Sequence, residues 1–325
     1  MPAARLEGSP GPSAPSLRPR AEGDRPRLSI VTVNWNGWGH TRKCLESIRA
    51  SHVENAEIIV IDNASVDETR AALPELFPEV QLIRNDENVG HVRGVNQGLR
   101  LARGEWVLVL DNDTELEPNT IASLFEFVGK HPEADLVSPR ILAPDGSVEE
   151  SARNFPSAWN ALFGRQSLLT RLFPGNPFSR RYLARERLDA SEPFQIDSLS
   201  AACMFFPRRL LDEVGYWDEG FGGYWVDADW CMRLKQHGKR VFCVPGSHIV
   251  HYENFKIGRK KTPRRIWLFH QGAYRLYWKH YTRGRLDPRA IVAAIGLGAR
   301  AAALVFVHSV LVPLRDAARG RGPGR

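Results

Sequence analysis

The chain has 325 residues, 43% of them apolar, and a formal net charge of +7. That length and apolar content allow one large α/β domain with extensions, or two modest domains, and exclude general disorder. The four cysteines (Cys44, Cys203, Cys231, Cys243) form no CxxC pair and no zinc spacing, so they read as buried thiols in a reducing compartment.

Residues 1 to 27 mix Pro, Gly, Ser and Arg with almost no large apolar side chains, which predicts a disordered tail without the apolar core of a signal peptide. Arg27 to Asn34 is then a β-branched apolar run, expected to be a buried strand, followed by helical spacing at Cys44, Leu45 and Ile48. Glu57–Asp62 and Val80–Ile83 read as the second and third strands, with helices at Ser65–Leu73 and at 91 to 102. Glu105–Leu110 is the fourth strand and ends at Asp111. This alternation predicts βαβ units and a parallel sheet. Three strands end in polar residues, Asn34, Asp62 and Asp111, where open α/β sheets bind ligands.

Beyond residue 140 the rhythm breaks, and 154 to 195 looks like an irregular insertion. Strands are expected within Phe194–Phe206, helices at Pro207–Val214 and Asp227–His237, a closing strand at Arg240–Val244, and a helix at Arg264–His280. Ile291–Pro313 is almost wholly apolar but contains Arg300 and His308, and cations flank it on both sides. A span needs about 20 apolar residues, so three readings stand: a helix on an anionic membrane face, a core helix, or a true span.

The turn Asn34-Trp-Asn-Gly-Trp-Gly39 lacks the third glycine of a dinucleotide fingerprint, with Arg42 in its place, and no phosphate loop with the GxxxxGK pattern occurs. Asp111-Asn-Asp113 can place two hard oxygen ligands together for Mg²⁺ or Mn²⁺. Alone, such a tripeptide is equally a turn capping the next helix. Its neighbours change that weighting. Asp62-Asn-Ala-Ser-Val-Asp67 ends the second strand. Asn88-Val-Gly90-His-Val-Arg93-Gly94-Val-Asn96 opens the third helix, with Arg93 available for phosphate. The glycines serve either close approach to a ligand or tight packing of helix on sheet.

Together these segments resemble the nucleotide-binding half of family-2 glycosyltransferases, and the likeness runs over residues 28 to 283, nearest to the rhamnosyltransferase-like branch that builds bacterial surface polysaccharides. The resemblance implies an α/β GT-A fold with a mainly parallel sheet and a C-terminal helical extension. It divides the chain into a tail (1–27), a catalytic domain (28–255, with halves 28–140 and 141–255) and a basic extension (256–325). It places Thr32, Asn34 and Asp62 at the base and ribose, and Asn88, Gly90, Gly94 and Asn96 beside the nucleotide. Asp111 and Asn112 fall near the ribose, Asp111 also in the metal shell. Asp113 falls on the direct metal ligand, and His251, better than His248, on the histidine that completes the shell.

In the second half, Asp197–Met204 looks like the segment before the acceptor loop, with Ala201 where glycine is usual. Tyr216–Phe221 looks like the G-F-D-E-x-F turn, and Trp225–Arg233 like the E-D-x-D-L-x-x-R motif, with Val226 replacing the glutamate. Asp227 falls on the proposed catalytic base, at a helix start whose dipole favours the ionised form; Asp229 is either a further site acid or a first-turn helix acid. The run Lys256–Arg265, with six cations, suggests a lid over diphosphates, a contact to an anionic lipid carrier, or a solvated face.

The implied reaction is inverting transfer from a UDP- or dTDP-linked sugar to a glycan or lipid-linked acceptor, at the cytoplasmic face of the cell membrane, with peripheral contact through 256–315. A nucleotidyltransferase on the same fold would need a glycine- and lysine-rich first loop, which is missing. A non-catalytic scaffold is hinted at only by Val226 and Ala201. The basic ends lack the aromatic interleaving of a nucleic-acid binder.

Overall fold

The computed structural model describes residues 25–156, 176–187, 189–252, 262–284 and 287–318. In chain order the first half runs β1 (Leu28–Asn34), α1 (Trp38–Ala50), β2 (Ala56–Asp62), α2 (Thr69–Leu76), β3 (Gln81–Arg84), α3 (His91–Leu101) and β4 (Trp106–Leu110). Strands β3, β2, β1 and β4 lie side by side and parallel, in register from Leu28 opposite Ala56 to Asn34 opposite Asp62. All three polar strand ends therefore reach the same edge of the sheet.

Alternation along the strands divides the core into two layers. Val31, Val33, Ile59 and Ile61 pack with Val92, Val95 and Leu99 of α3. Leu28, Ile30, Ile58 and Val60 face the other way, onto Cys44, Leu45 and Ile48 of α1 and Leu73 of α2. All four cysteines are free and buried, and burial raises the pKa of each thiol.

The second half completes the sheet with strands of mixed direction. It comprises β5 (Thr114–Leu116), α4 (Thr120–Lys130), β6 (Leu136–Leu142), α5 (Pro177–Tyr182), β7 (Phe194–Ile196), β8 (Cys203–Pro207), α6 (Arg209–Glu213), α7 (Val226–Gln236) and β9 (Val241–His251). The sheet order is β3-β2-β1-β4-β8-β6-β9-β5, with β7 on β9. Strand β8 runs antiparallel to β4 and carries the buried Phe205 and Phe206 into opposite layers. One expectation is corrected here: the last strand does not close at Val244. Its pairing with β6 shifts at Pro139/Arg140, so that Pro139 faces Val244 but Arg140 faces His248, and the strand continues to His251. A proline in β6 marks this irregularity, as ladder geometry requires.

Helix α8 (Pro263–Tyr281) packs beside α7, and α9 (Pro288–Phe306) beside α8. A π-helical turn at Val307–Leu311 joins α9 to α10 (Val312–Ala318). The core-helix reading of this stretch does not hold. Only Ala290 and Ala301 of α9 are buried, while Val292 and Ile295 are 70% and 67% exposed. The predicted tail (residues 1–24), most of the insertion (157–175) and Lys256–Lys261 lie outside the described residues.

Two glycines separate packing from propensity. A Cβ on Gly104 would stand 2.5 Å from Ser29 N and 2.7 Å from Trp106 O, backbone atoms that cannot give way. A Cβ on Gly129, exposed in α4, would meet nothing within 4 Å. Urea unfolding should show Gly104→Ala destabilised by about 1–3 kcal/mol, and Gly129→Ala stabilised by about 0.5 kcal/mol.

Candidate active site

Asp111 stands at the end of β4, where its N–H donates to Ala202 O (3.0 Å) across the β4–β8 pair. Thr114 turns the chain back, its N–H and Oγ1 both donating to Asp111 O (3.2 and 2.7 Å). Strand β5 then pairs with the end of β9, Thr114 opposite His251, and Tyr252 N donates to Asp113 O (2.8 Å). Two carboxylates and an imidazole far apart in sequence thereby converge. A ligand atom from each of Asp111, Asp113 and His251 lies within 4.8 Å of the other two.

His251 is 4% exposed. Its Nδ1 is 3.3 Å from Glu149 Oε2, a carboxylate positioned to orient the ring. Its Nε2 lies 3.4 Å from Asp113 Oδ1 and 4.0 Å from Asp111 Oδ2, yet has no aligned hydrogen bond. Burial alone would depress the His251 pKa, but Asp113, Glu149 and the charge of Asp111 outweigh it and push it up to about 10. Burial pushes the Asp111 carboxyl up, as do the charges of Asp113 and Asp227, against His91 and His251. A buried nitrogen without a hydrogen bond, facing two hard oxygens in a net-acidic pocket, fits a divalent cation. His248 turns elsewhere, to Glu117 at 2.6 Å.

The polar ends of β1 and β2 form one buried network. Asn34 Nδ2 faces Asp62 Oδ1 (3.2 Å), Ser65 Oγ (3.0 Å) and Thr69 Oγ1 (3.0 Å). Its Oδ1 accepts from Thr41 Oγ1 (2.7 Å) and from Asn112 Nδ2 (3.0 Å). Ser65 also donates to Asp62. Asn112 is thus tied to the expected base and ribose residues while its neighbours Asp111 and Asp113 face His251. Thr32, 1% exposed, has a hydroxyl without a hydrogen-bond partner.

The third-helix segment divides differently from the expectation. Asn88 Oδ1 accepts from Gly90 N (2.9 Å), and Gly90 has φ 90°, so these two shape the loop before α3. Gly94 lies against Val33: a Cβ there would come within 2.9 Å of Val33 Cγ1, so its task in the fold is helix–sheet packing. Asn96, 1% exposed, donates to Trp217 O (2.9 Å) and accepts from Trp217 N (3.1 Å), clamping the Tyr216–Phe221 turn onto α3. Arg93 faces Glu219 at 3.5 Å. Instead it is His91, unnamed among the sequence candidates, that reaches the acidic pair, with Nε2 3.7 Å from Asp111 Oδ1. Its signal was its place directly after Gly90; Glu149 had none.

On the other side Trp225 enters α7 in the left-handed region (φ 71°), its indole donating to Phe269 O of α8 (3.1 Å). Val226, which stands where the motif has glutamate, is 1% exposed and belongs to the core. Asp227 is half-buried, and its Oδ1 accepts from Ala228 N (2.8 Å). The helix dipole does not prevail there: burial pushes the Asp227 carboxyl up, against the charge of Arg153 and backbone N–H groups. A raised carboxyl is a stronger proton acceptor. Asp229 is fully buried and structural. It accepts from Arg233 (3.0 Å) and Lys279 (2.8 Å) and lies 2.7 Å from His280 Nε2. Lys279 and Arg275 also hold Asp218 (2.9 and 2.8 Å).

The model for glycosyl transferase family 2 matches residues 29–215. The chain belongs to this family. A curated relative, N-acetylglucosaminyl-diphospho-decaprenol L-rhamnosyltransferase of Mycobacterium tuberculosis, is 30% identical over 71% of this chain and 78% of its own. A PGL/p-HBAD biosynthesis glycosyltransferase of Mycobacterium bovis is 31% identical over 69% of this chain and 75% of its own. Among solved structures, a mannosyltransferase from Pyrobaculum calidifontis in complex with GDP-Man and Mn²⁺ aligns with TM-score 0.55 and 19% identity, covering 89% of this chain and 76% of that one. The fold is GT-A, and the protein is a rhamnosyltransferase-like family-2 glycosyltransferase.

The buried ion network of this glycosyltransferase sets a pH signature. Burial disfavours the Asp229 anion, but His280, Lys279 and Arg233 outweigh it and hold the carboxyl below its ordinary range. The stability it confers is therefore present above the unfolded carboxyl pKa and lost as pH falls through the folded one. Asp229→Asn should cost about 3–5 kcal/mol at pH 7. In urea unfolding at a series of pH values, the gap from wild type should narrow below about pH 4.

Proposed function

We propose that this glycosyltransferase moves a sugar, rhamnose in our reading, with inversion from a UDP- or dTDP-linked donor to a glycan or lipid-linked acceptor in cell-surface polysaccharide synthesis. The observation that carries this is the convergence of Asp111, Asp113 and His251 within 4.8 Å, in a pocket where Asp111 also feels the charge of Asp227. Asp111, Asp113 and His251 would hold Mg²⁺ or Mn²⁺, and the bound ion would supply positive charge against the diphosphate of the leaving group. Asp227 accepts the proton of the acceptor hydroxyl as its oxygen bonds to the anomeric carbon. The bond from that carbon to the diphosphate oxygen breaks, and nucleoside diphosphate departs. Inversion accords with one attack and one base. Rhamnose and a lipid diphosphate acceptor are supported by the name of the mycobacterial relative; the glycan role rests on the same likeness.

The donor site is tested by calorimetry with UDP, dTDP and GDP, with and without Mn²⁺. UDP or dTDP should bind in a metal-dependent way, and Asp113→Ala should abolish that binding. A folded wild type that binds no nucleotide would overturn the assignment. Asp227→Asn should keep nucleotide binding and lower kcat by roughly 10²–10⁴-fold; near-normal turnover would remove Asp227 from its role.

We place the enzyme at the cytoplasmic membrane face, with the contact in 256–315. Pro288–Arg315 is long and apolar enough to cross a membrane by length and composition, and little of it is buried. Ile291, Val292, Ile295 and Leu314 are exposed, and Arg283, Arg289 and Arg315 flank them. Such a pattern binds an anionic interface through apolar area and cationic flanks together. In flotation assays the enzyme should rise with phosphatidylglycerol vesicles more than with phosphatidylcholine vesicles, and Val292→Glu with Ile295→Glu should reduce that at unchanged melting temperature. Equal flotation of variant and wild type would sink the contact.

A further inference from the structure

The segment leaving β6 carries a cation whose only part so far is the charge that it exerts on Asp227. Arg153 is half-buried, and its backbone is clamped to Ser198 by reciprocal N–H to O bonds of 2.8 Å. Its Nε donates to Glu150 O (2.6 Å), which fixes the arm and leaves the two terminal nitrogens. Among the described residues no carboxylate forms an ion pair with it. Two carboxylates beside its backbone have their own cations: Glu150 holds Arg185 (3.0 Å), and Asp197 holds Lys235 (2.7 Å).

Two contacts place the backbone that carries this guanidinium between the reacting groups and the C-terminal helices. The strip paired with Arg153 at Ser198 runs on to Ala202, whose carbonyl accepts from Asp111 N (3.0 Å). Three residues beyond Arg153, Pro156 O accepts from Tyr281 Oη of α8 (2.6 Å), the helix on which the exposed apolar α9 rests. The charge of Arg153 is also felt at Asp227, on the side where the acceptor hydroxyl must lie. A fixed, partly desolvated guanidinium that forms no ion pair among the described residues suits a ligand oxyanion, and its planar edge matches phosphate oxygens.

We propose that Arg153 forms an acceptor-side anion subsite for the diphosphate that joins the acceptor sugar to its lipid. This deepens the lipid-linked acceptor reading and rests on it. The donor diphosphate belongs at the Asp111, Asp113 and His251 cluster. The segment that carries Arg153 instead meets α8, on which the exposed apolar α9 rests, so a lipid chain leaving the bound diphosphate has an apolar surface to follow.

The test is calorimetric titration of the full-length enzyme with dodecyl diphosphate, with Mn²⁺ and UDP or dTDP saturating the donor site. Neutral dodecyl maltoside is the comparison ligand. Arg153→Ala should weaken dodecyl diphosphate binding roughly tenfold or more, Arg153→Lys should weaken it less, and neither should change the melting temperature or dodecyl maltoside binding. Nucleotide binding should stay within about twofold of wild type, below the loss of a charged hydrogen bond. Equal binding of dodecyl diphosphate by wild type and Arg153→Ala, or none by wild type, would overturn the subsite. Loss of nucleotide binding in Arg153→Ala would assign the residue to the donor and overturn it as well. If wild type binds no nucleotide, the donor reading falls, and the dodecyl diphosphate titration alone still decides Arg153.

Discussion

The pairing of β5 with the end of β9 brings His251 to the two aspartates, because it aligns Thr114 with His251 and joins Tyr252 N to Asp113 O. Strand register is quantised: a slip of one residue would turn His251 to the opposite face and leave the two aspartates without their imidazole. The shift at Pro139/Arg140 is part of the same constraint, since it carries β9 past Val244 to the acidic pair. Glu149, arriving from the turn after β6, then holds the ring of His251 by its other nitrogen. A net-acidic cluster of this kind is costly to bury on its own, and a divalent cation offsets that cost.

Around that centre the two halves of the chain are joined by buried polar contacts as well as by the sheet. Asn96 locks the Tyr216–Phe221 turn to α3, and Asp218 of that turn is held by Arg275 and Lys279 of α8. Lys279 and His280 reach on to Asp229, two residues after Asp227. Helix α8, beyond the segment matched by the family model, therefore braces the start of α7. Trp225, strained into the left-handed region and bonded to Phe269 O, ties the residues before Asp227 to the same helix. Asp227, the base we propose, is thus held from both sides, an arrangement that would keep reorganisation on reaction small.

Particular residues show how much was legible in advance. The first four strands and their parallel order follow from apolar runs of strand length separated by helical spacing, signals that survive without tertiary context. Asn34, Asp62 and Asp111 were legible as a group because strand ends in a parallel sheet share an edge. The contacts of Asn96 with Trp217 and of Gly94 with Val33 were not legible, because a motif records which residues recur and not what each one touches. His91 and Glu149 were overlooked for the converse reason: each gains its place only from the packing of its own segment against the acidic pair.

By itself the sequence determined the α/β class, the polar strand ends and the family likeness, because hydrophobic period, turn residues and spaced motifs are local quantities. Only the tertiary structure decided that β9 runs on to His251, that His248 turns to Glu117, that Asp229 is a buried strut, and that the last long helix is not core. Those outcomes depend on strand register and on which partners a side chain meets across the fold, and neither is encoded in the spacing of residues along one segment.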